Sequence, residues 1–170
     1  MKISQLPYRY NKRKHIIIIS ITTIVITILI YSQLFGVLYV PNTSIIDFKV
    51  LYSYQTFQTA IQSLTIEQAH AYQWIHVIDY LFMLLFYPLL VLLLSTVIKQ
   101  QSKQSIILFI PLFGYIFDLI ENICIDIHLY QYPELFQVVG HIAVIVTPLK
   151  FLMSLLAILI YMYKKVIEKK

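Results

Sequence analysis

The sequence predicts an all-α fold: four transmembrane helices in an antiparallel bundle, with a long first extracytoplasmic loop. Three observations lead there. Hydrophobic residues make up 59% of the 170-residue chain and charged residues only 12%, with a mean hydropathy of +0.77, outside the usage of soluble globular domains. The apolar residues collect in four runs, each long enough to cross a hydrocarbon core of about 30 Å at about 1.5 Å per helical residue. The basic residues flank those runs: eleven of the thirteen Lys and Arg fall before the first, between the second and third, or after the fourth. Every second connection is therefore basic, the positive-inside pattern of a chain with both termini in the cytoplasm.

The net charge of +5 thus reflects membrane orientation and not nucleic-acid binding. Three glycines and six prolines leave no flexible linker, so the chain reads as one domain. The single Cys124 excludes a disulfide framework, a CxxC redox pair and a Cys-rich zinc site. Richness in Ile, Lys and Tyr fits a bacterial cytoplasmic membrane protein from a low-GC genome.

Residues 1–15 form a basic cytoplasmic segment carrying Lys2, Arg9, Lys12, Arg13 and Lys14. Residues 16–163 form the transmembrane domain. Span one, residues 16–40, lacks the short core and small-residue cleavage site of a signal peptide, so it is expected to remain as a helix. The outer loop, residues 41–64, is rich in Tyr, Gln and Thr, and "FKVLYSYQTFQTAIQSL" suits a lid, an interfacial helix or an ordinary packed loop. "TIEQ", Thr65 to Gln68, has the form of a capping box. It predicts that the helix of span two, residues 74–98, starts outside the bilayer. Lys99 and Lys103 mark a short cytoplasmic turn before span three, residues 106–125. Span four covers residues 141–163, and a basic tail, residues 164–170, follows. Trp74, Tyr130, Tyr132, Tyr161 and Tyr163 suit the membrane interface.

"FDLIENICIDIH", residues 117–128, departs from this greasy pattern. At about 1.5 Å per residue, Asp79 lies about 8 Å below the outer face, Glu121 and Asp118 about 8 and 12 Å, and Thr147 and Lys150 about 10 and 15 Å. Three helices thus place polar groups in one layer. Residues three and four apart share a helix face, so Pro111, Gly114, Asp118, Glu121 and Asn122 form one stripe. Gly140, Ala143, Thr147, Lys150 and Ser154 form another, small and polar, of the kind that admits close helix approach in lipid.

Span three carries thirteen Ile, Leu and Phe. They favour insertion by about 0.3–0.6 kcal/mol each, whereas each central acid costs about 2.5–3.5 kcal/mol. The helix therefore needs partners for its carboxylates. Asp79, Asp118 and Glu121 face Lys150 alone, a formal excess of two negative charges, to be met by protonation, water, a bound cation or a cationic ligand.

Several readings stay open at this level. The cluster suits a membrane-embedded enzyme that works on a lipid or isoprenoid-type molecule by acid/base chemistry, although no activated nucleophile is evident. It equally suits a non-catalytic carrier, a proton or cation relay, or a small-ligand sensor. A structural subunit of a membrane complex, or a Lys150 that merely pairs with one acid, are the remaining alternatives. A metal variant would use His76, Asp79, Asp118, Glu121, His128 and His141, but it lacks the second E-x-x-H pair of a di-metal bundle. No metal or cofactor is assigned.

"AYQWIHVIDYLFMLLFYPLL", "FDLIENICIDIHLYQYP" and "TPLKFLM" together resemble an uncharacterised group of small bacterial four-span proteins. That group has Tyr and Asp early in span two, D-x-x-E-N in span three followed by Tyr-Pro, and T-x-x-K in span four. The resemblance covers roughly residues 64–155 and implies no reaction. It marks Tyr72, Asp79, Tyr87, Asp118, Glu121, Asn122, Thr147 and Lys150. Of these, Asp118, Glu121 and Lys150 are the candidate catalytic groups, and Asp79, Asn122, Thr147, Tyr72 and Tyr87 the candidate ligand-binding ones. The expected partners are the lipid bilayer and a lipid or small polar ligand, with oligomers or a membrane partner left open.

Overall fold

The structure is a computed structural model that describes residues 13–32, 46, 49–98 and 103–167. It contains five α-helices, and no strand among the described residues: α1 (Arg13–Ser32), α2 (Tyr54–Gln62), α3 (Ile66–Val97), α4 (Ile110–Tyr130) and α5 (Gln137–Ile167). A 3-10 segment, Lys103–Phe109, leads into α4.

Three segments are long and apolar enough to cross a membrane: Ile66–Val97, Ser105–Tyr130 and Gln137–Ile167. They correspond to the expected spans two, three and four. The apolar stretch described for the first run is shorter, Lys14–Ile30. The rest of the expected span 16–40 lies outside the described residues. Within α1, Thr22, Thr23 and Thr27 each turn their hydroxyl back to the carbonyl four residues earlier, at 2.8–2.9 Å, which hides the polar group inside an apolar helix.

The start of α3 follows its sequence signal. Thr65 Oγ1 accepts from the Gln68 amide at 3.2 Å, and the Gln68 side chain accepts from the Thr65 amide at 2.9 Å, so the capping box is complete. The segment between α1 and α3 contains α2, which begins on Ser53, whose hydroxyl accepts from the Thr56 amide. Its apolar residues Phe57, Ala60 and Ile61 are buried. It docks on α5 where Gly140 leaves room: a Cβ there would stand 2.6 Å from the Tyr54 ring and 3.3 Å from that of Phe57. Tyr54 also stacks on His141 at 4.4 Å. The segment is thus a packed cap on the bundle.

α4 packs most extensively on α5, and α1 packs on α3. The buried core falls into two apolar clusters. One joins the cap to the N-terminal half of α3 through Phe57, Ile61, Tyr72 and Ile75, and takes in Cys124 and Ile125 of α4 and Ala143 of α5. The other gathers Met83, Tyr87, Leu90, Leu94, Leu108 and Ala157. Along each of α3, α4 and α5 the polar residues occupy the interval between these clusters. The outward faces carry exposed Leu81, Leu84, Ile116, Ile123, Ile145, Leu152 and Leu155, more apolar surface than a water-soluble monomer shows and suited to lipid.

Pro88 lies inside α3 and Pro148 inside α5. Neither ring nitrogen can donate to the carbonyl four residues earlier, which locally relaxes each helix. Each proline directly follows a polar-layer residue, Tyr87 or Thr147.

Candidate functional site

Glu121 and Asn122 are fully buried on α4, with Asp118 one turn away on the same face; all three lie among the buried residues of that helix. From α5, Lys150 places its Nζ between two carboxylates: 2.8 Å from Asp118 Oδ1 and in direct contact with Glu121 Oε2. The other oxygen of each acid is engaged as well. Tyr87 of α3 donates to Asp118 Oδ2 at 3.0 Å, and Thr147 of α5 donates to Glu121 Oε1 at 2.5 Å. Five residues from three helices thus bring together one ammonium and two carboxylates, with a formal charge of −1 for the trio.

Gly114 sets the position of Tyr87. A Cβ on Gly114 would lie 2.7 Å from Tyr87 Cε1 and 3.3 Å from Met153 Cβ. Hydrogen in place of a side chain therefore lets the Tyr87 ring settle against α4, with its hydroxyl one turn further on at Asp118.

The cap reaches this centre directly. Tyr52, just before α2, lies with its hydroxyl 2.8 Å from Thr147 Oγ1 and 3.4 Å from Glu121 Oε1. Thr147 has a single hydroxyl proton and two acceptors in reach, Glu121 Oε1 and the Ala143 carbonyl at 2.7 Å. When it donates to Glu121, Tyr52 donates to Thr147, and a continuous chain runs Tyr52, Thr147, Glu121, Lys150, Asp118, Tyr87. In that arrangement the hydrogens point toward the two carboxylates, so acid and base groups stand together in one place.

A second pair adjoins it. Asn122 Nδ2 donates to Asp79 Oδ2 of α3 at 2.5 Å and approaches Met83 Sδ at 3.2 Å. Asn122 Oδ1 is buried and has no hydrogen-bond partner among the described residues. One turn further along α4, Asp126 pairs with His76 Nδ1 at 2.7 Å and accepts from Tyr80 at 2.7 Å.

The groups named from the sequence separate accordingly. Asp118, Glu121, Lys150, Thr147 and Tyr87 meet in one centre, and Asp79 and Asn122 meet beside it. The described contacts of Tyr72 lie in the cap instead: its hydroxyl accepts from the Ile46 amide at 3.2 Å, and its ring meets His76 edge-on. The histidines of the metal variant do not converge. His128 takes Nδ1 to the Cys124 carbonyl at 2.7 Å and accepts from the Phe136 amide at Nε2, clipping the α4–α5 turn, and His141 stacks on Tyr54. Among the described residues no group of three or more His, Cys, Asp or Glu is placed to hold a metal ion. Two contributors were not singled out from sequence. Asp126 continues the 118–122 stripe by one more turn and was within reach of that periodicity. Tyr52 sits in a loop with no repeat to reveal its aim.

The polar centre opens into a cleft of about 280 Å³. Its floor is Asp79, Tyr87, Asp118, Lys150 and Ser154. Its walls are Phe82 and Phe86 of α3, Phe151 of α5, and Ile30 with Thr27 of α1. The volume is at the lower end for small-molecule sites, and the lining follows their usual plan of apolar walls with a few convergent polar groups.

No family model, curated protein or solved structure matched the chain when it was compared with each.

Proposed function

We propose that the chain is a four-span integral protein of a bacterial cytoplasmic membrane. In this reading it takes an amphipathic, lipid-type molecule into the cleft and transfers a proton at its polar head. The observation that carries the reading is the ion trio Asp118–Lys150–Glu121, of which Asp118 and Lys150 reach the floor of a cleft walled by Phe82, Phe86, Phe151 and Ile30. Apolar walls suit a hydrocarbon tail, and a buried acid–base set suits a head group that needs a proton moved. Buried ion triads add little stability relative to apolar packing, so a trio kept inside lipid is better explained by what it does.

In this reading α1 is the first span and the cap lies outside the membrane. Residue pairs along α4 and α5, 118 with 150 and 121 with 147, and the turn contact of 128 with 136 support an antiparallel run of those helices. The basic connections support cytoplasmic termini, and the resemblance to the small bacterial four-span group fits the same arrangement. Lys150 and the two carboxylates are the acid/base groups. Tyr52 and Thr147 form the proton path, and Tyr87 orients Asp118.

Comparative lipid profiling tests the catalytic part. Membranes of cells making the wild-type chain are compared with those making Glu121→Gln or Asp118→Asn, each checked for folding by its melting in detergent. A lipid-type species that accumulates or vanishes only when the acids are intact supports catalysis. Identical profiles with folded variants exclude it.

A further inference from the structure

Two buried clusters close the ends of the cleft. At one end Ile30 of α1 and Ile75 of α3 line it, and both belong to the cluster that carries Phe57 and Ile61 of the cap. At the other end Tyr87 is buried in the second cluster, with Phe86 packed against that cluster. The sides are less tightly joined. α1 packs on α3, and among the described residues no comparable packing joins α1 to α5. Yet Thr27 and Ile30 of α1 line the same cleft as Phe151 and Ser154 of α5. The cleft is therefore a gap between α1 and α5, backed by α3, with Asp118 and Lys150 at its floor. The outward faces of both flanking helices are apolar, with Ile24, Ile28, Leu152 and Leu155 exposed. Thr27 spends its hydroxyl proton on the Thr23 carbonyl, so the α1 wall brings no donor to the cleft.

Size decides how an amphiphile is held there. A volume of about 280 Å³ has room for a head group and the start of a tail, not for a whole long-chain lipid. The rest of the tail lies outside, and each methylene drawn into water costs free energy, so it stays in the bilayer. The cap stands across the other approach, with Tyr52 bonded to Thr147 and Glu121. We infer that the ligand enters sideways from the bilayer through the gap between α1 and α5. Its head then rests at Asp118 and Lys150, and its tail runs out past Thr27 and Phe151 into hydrocarbon. The inference rests on the lipid-type reading of the cleft and adds the route and the class, a long-chain amphiphile whose tail exceeds the cleft.

The test uses the full chain in phosphatidylcholine vesicles, with Trp74, the single tryptophan, replaced by Phe. A reporter is placed on the cleft wall by Phe151→Trp, or on the exposed face of α5 by Leu155→Trp as a lipid-facing control. Quenching by phosphatidylcholine brominated midway along an acyl chain is compared with quenching by iodide in the buffer. Both reporters are expected to lose most of their emission to the brominated lipid and little to iodide. Thr27→Phe narrows the gap and is expected to restore the emission of the Phe151→Trp reporter several-fold, with the Leu155→Trp control still quenched. Should Thr27→Phe fail to fold, Thr27→Leu makes a milder narrowing with the same expected direction. A wall reporter quenched more by iodide than by brominated lipid reveals an aqueous mouth, which overturns sideways entry and leaves a lipid-type ligand standing. Lipid quenching that the narrowed gap does not relieve overturns the route in the same way. A wall reporter quenched by neither agent lies in a cleft closed to tail and water alike, which overturns the route together with the lipid-type reading.

Discussion

Lys150 is the residue on which the polar layer turns, because it neutralises two acids that no bilayer would accept alone. Removing one partner of a buried ion group leaves an uncompensated charge, which typically costs about 3–5 kcal/mol. Lys150→Met is therefore expected to lower detergent melting by that order, whereas Glu121→Gln should cost clearly less because Lys150 keeps Asp118. A melting curve of Lys150→Met equal to wild type would mean the acids are already protonated. Thr147→Val removes the hydroxyl donor of Glu121 Oε1 and is expected to cost about 1–3 kcal/mol, the usual penalty for a buried acceptor left short. Equal stability of Thr147→Val and wild type would indicate that Tyr52 swings in to replace it. At this scale the sequence was informative where helical periodicity applied. Spacings of three and four put Asp118, Glu121 and Asn122 on one face, and depth matched them to Lys150. It could not foresee the aim of Tyr52, set by a loop, or that Tyr72 would serve the cap, since only about two helix turns separate it from Asp79.

The elements show where small residues decide the packing. Gly140 seats α2, and Gly114 seats the Tyr87 ring. Gly140→Val places methyl groups where the Tyr54 ring lies, so α2 should detach while α3, α4 and α5 remain helical. Hydrogen exchange reads this directly: amides of residues 54–62 are expected to lose protection and those of the long helices to keep theirs. Unchanged protection in α2 would show that the Tyr54 ring simply rotates away. Thr65→Ala removes the hydroxyl half of the capping box and should cost about 1 kcal/mol, with fraying confined to the first turn of α3. That start was readable because a capping box is a local four-residue signal. The segment that holds α2 was not, because its polar Gln and Thr hide a short amphipathic face, Phe57, Ala60 and Ile61, whose burial depends on Gly140 far along the chain. The helix that carries span three also continues past residue 125, for a related reason. α4 runs on to Tyr130, with His128 clipped to the turn by backbone partners that composition does not reveal.

For the whole molecule, hydropathy alone identified the three long apolar helices, since any segment that crosses a bilayer must be both apolar and internally hydrogen-bonded. The four-span arrangement predicts that reporters fused at residue 170 and placed in the loop near Ser63 lie on opposite faces of the membrane. Finding both on one face would remove the topology and the outward placement of the cap. The cleft depends on more than topology: its walls come from α1, α3 and α5, and its floor from α3, α4 and α5, so it exists only when all four helices assemble. The claim that this cleft holds a lipid-type molecule over the Asp118–Lys150–Glu121 trio is most directly tested by native mass spectrometry of the gently purified protein beside its folded Glu121→Gln variant. The wild-type chain should carry a lipid-type mass at near-stoichiometric occupancy, reduced or lost in the variant. A bare wild-type chain, or equal occupancy in both proteins, would contradict it.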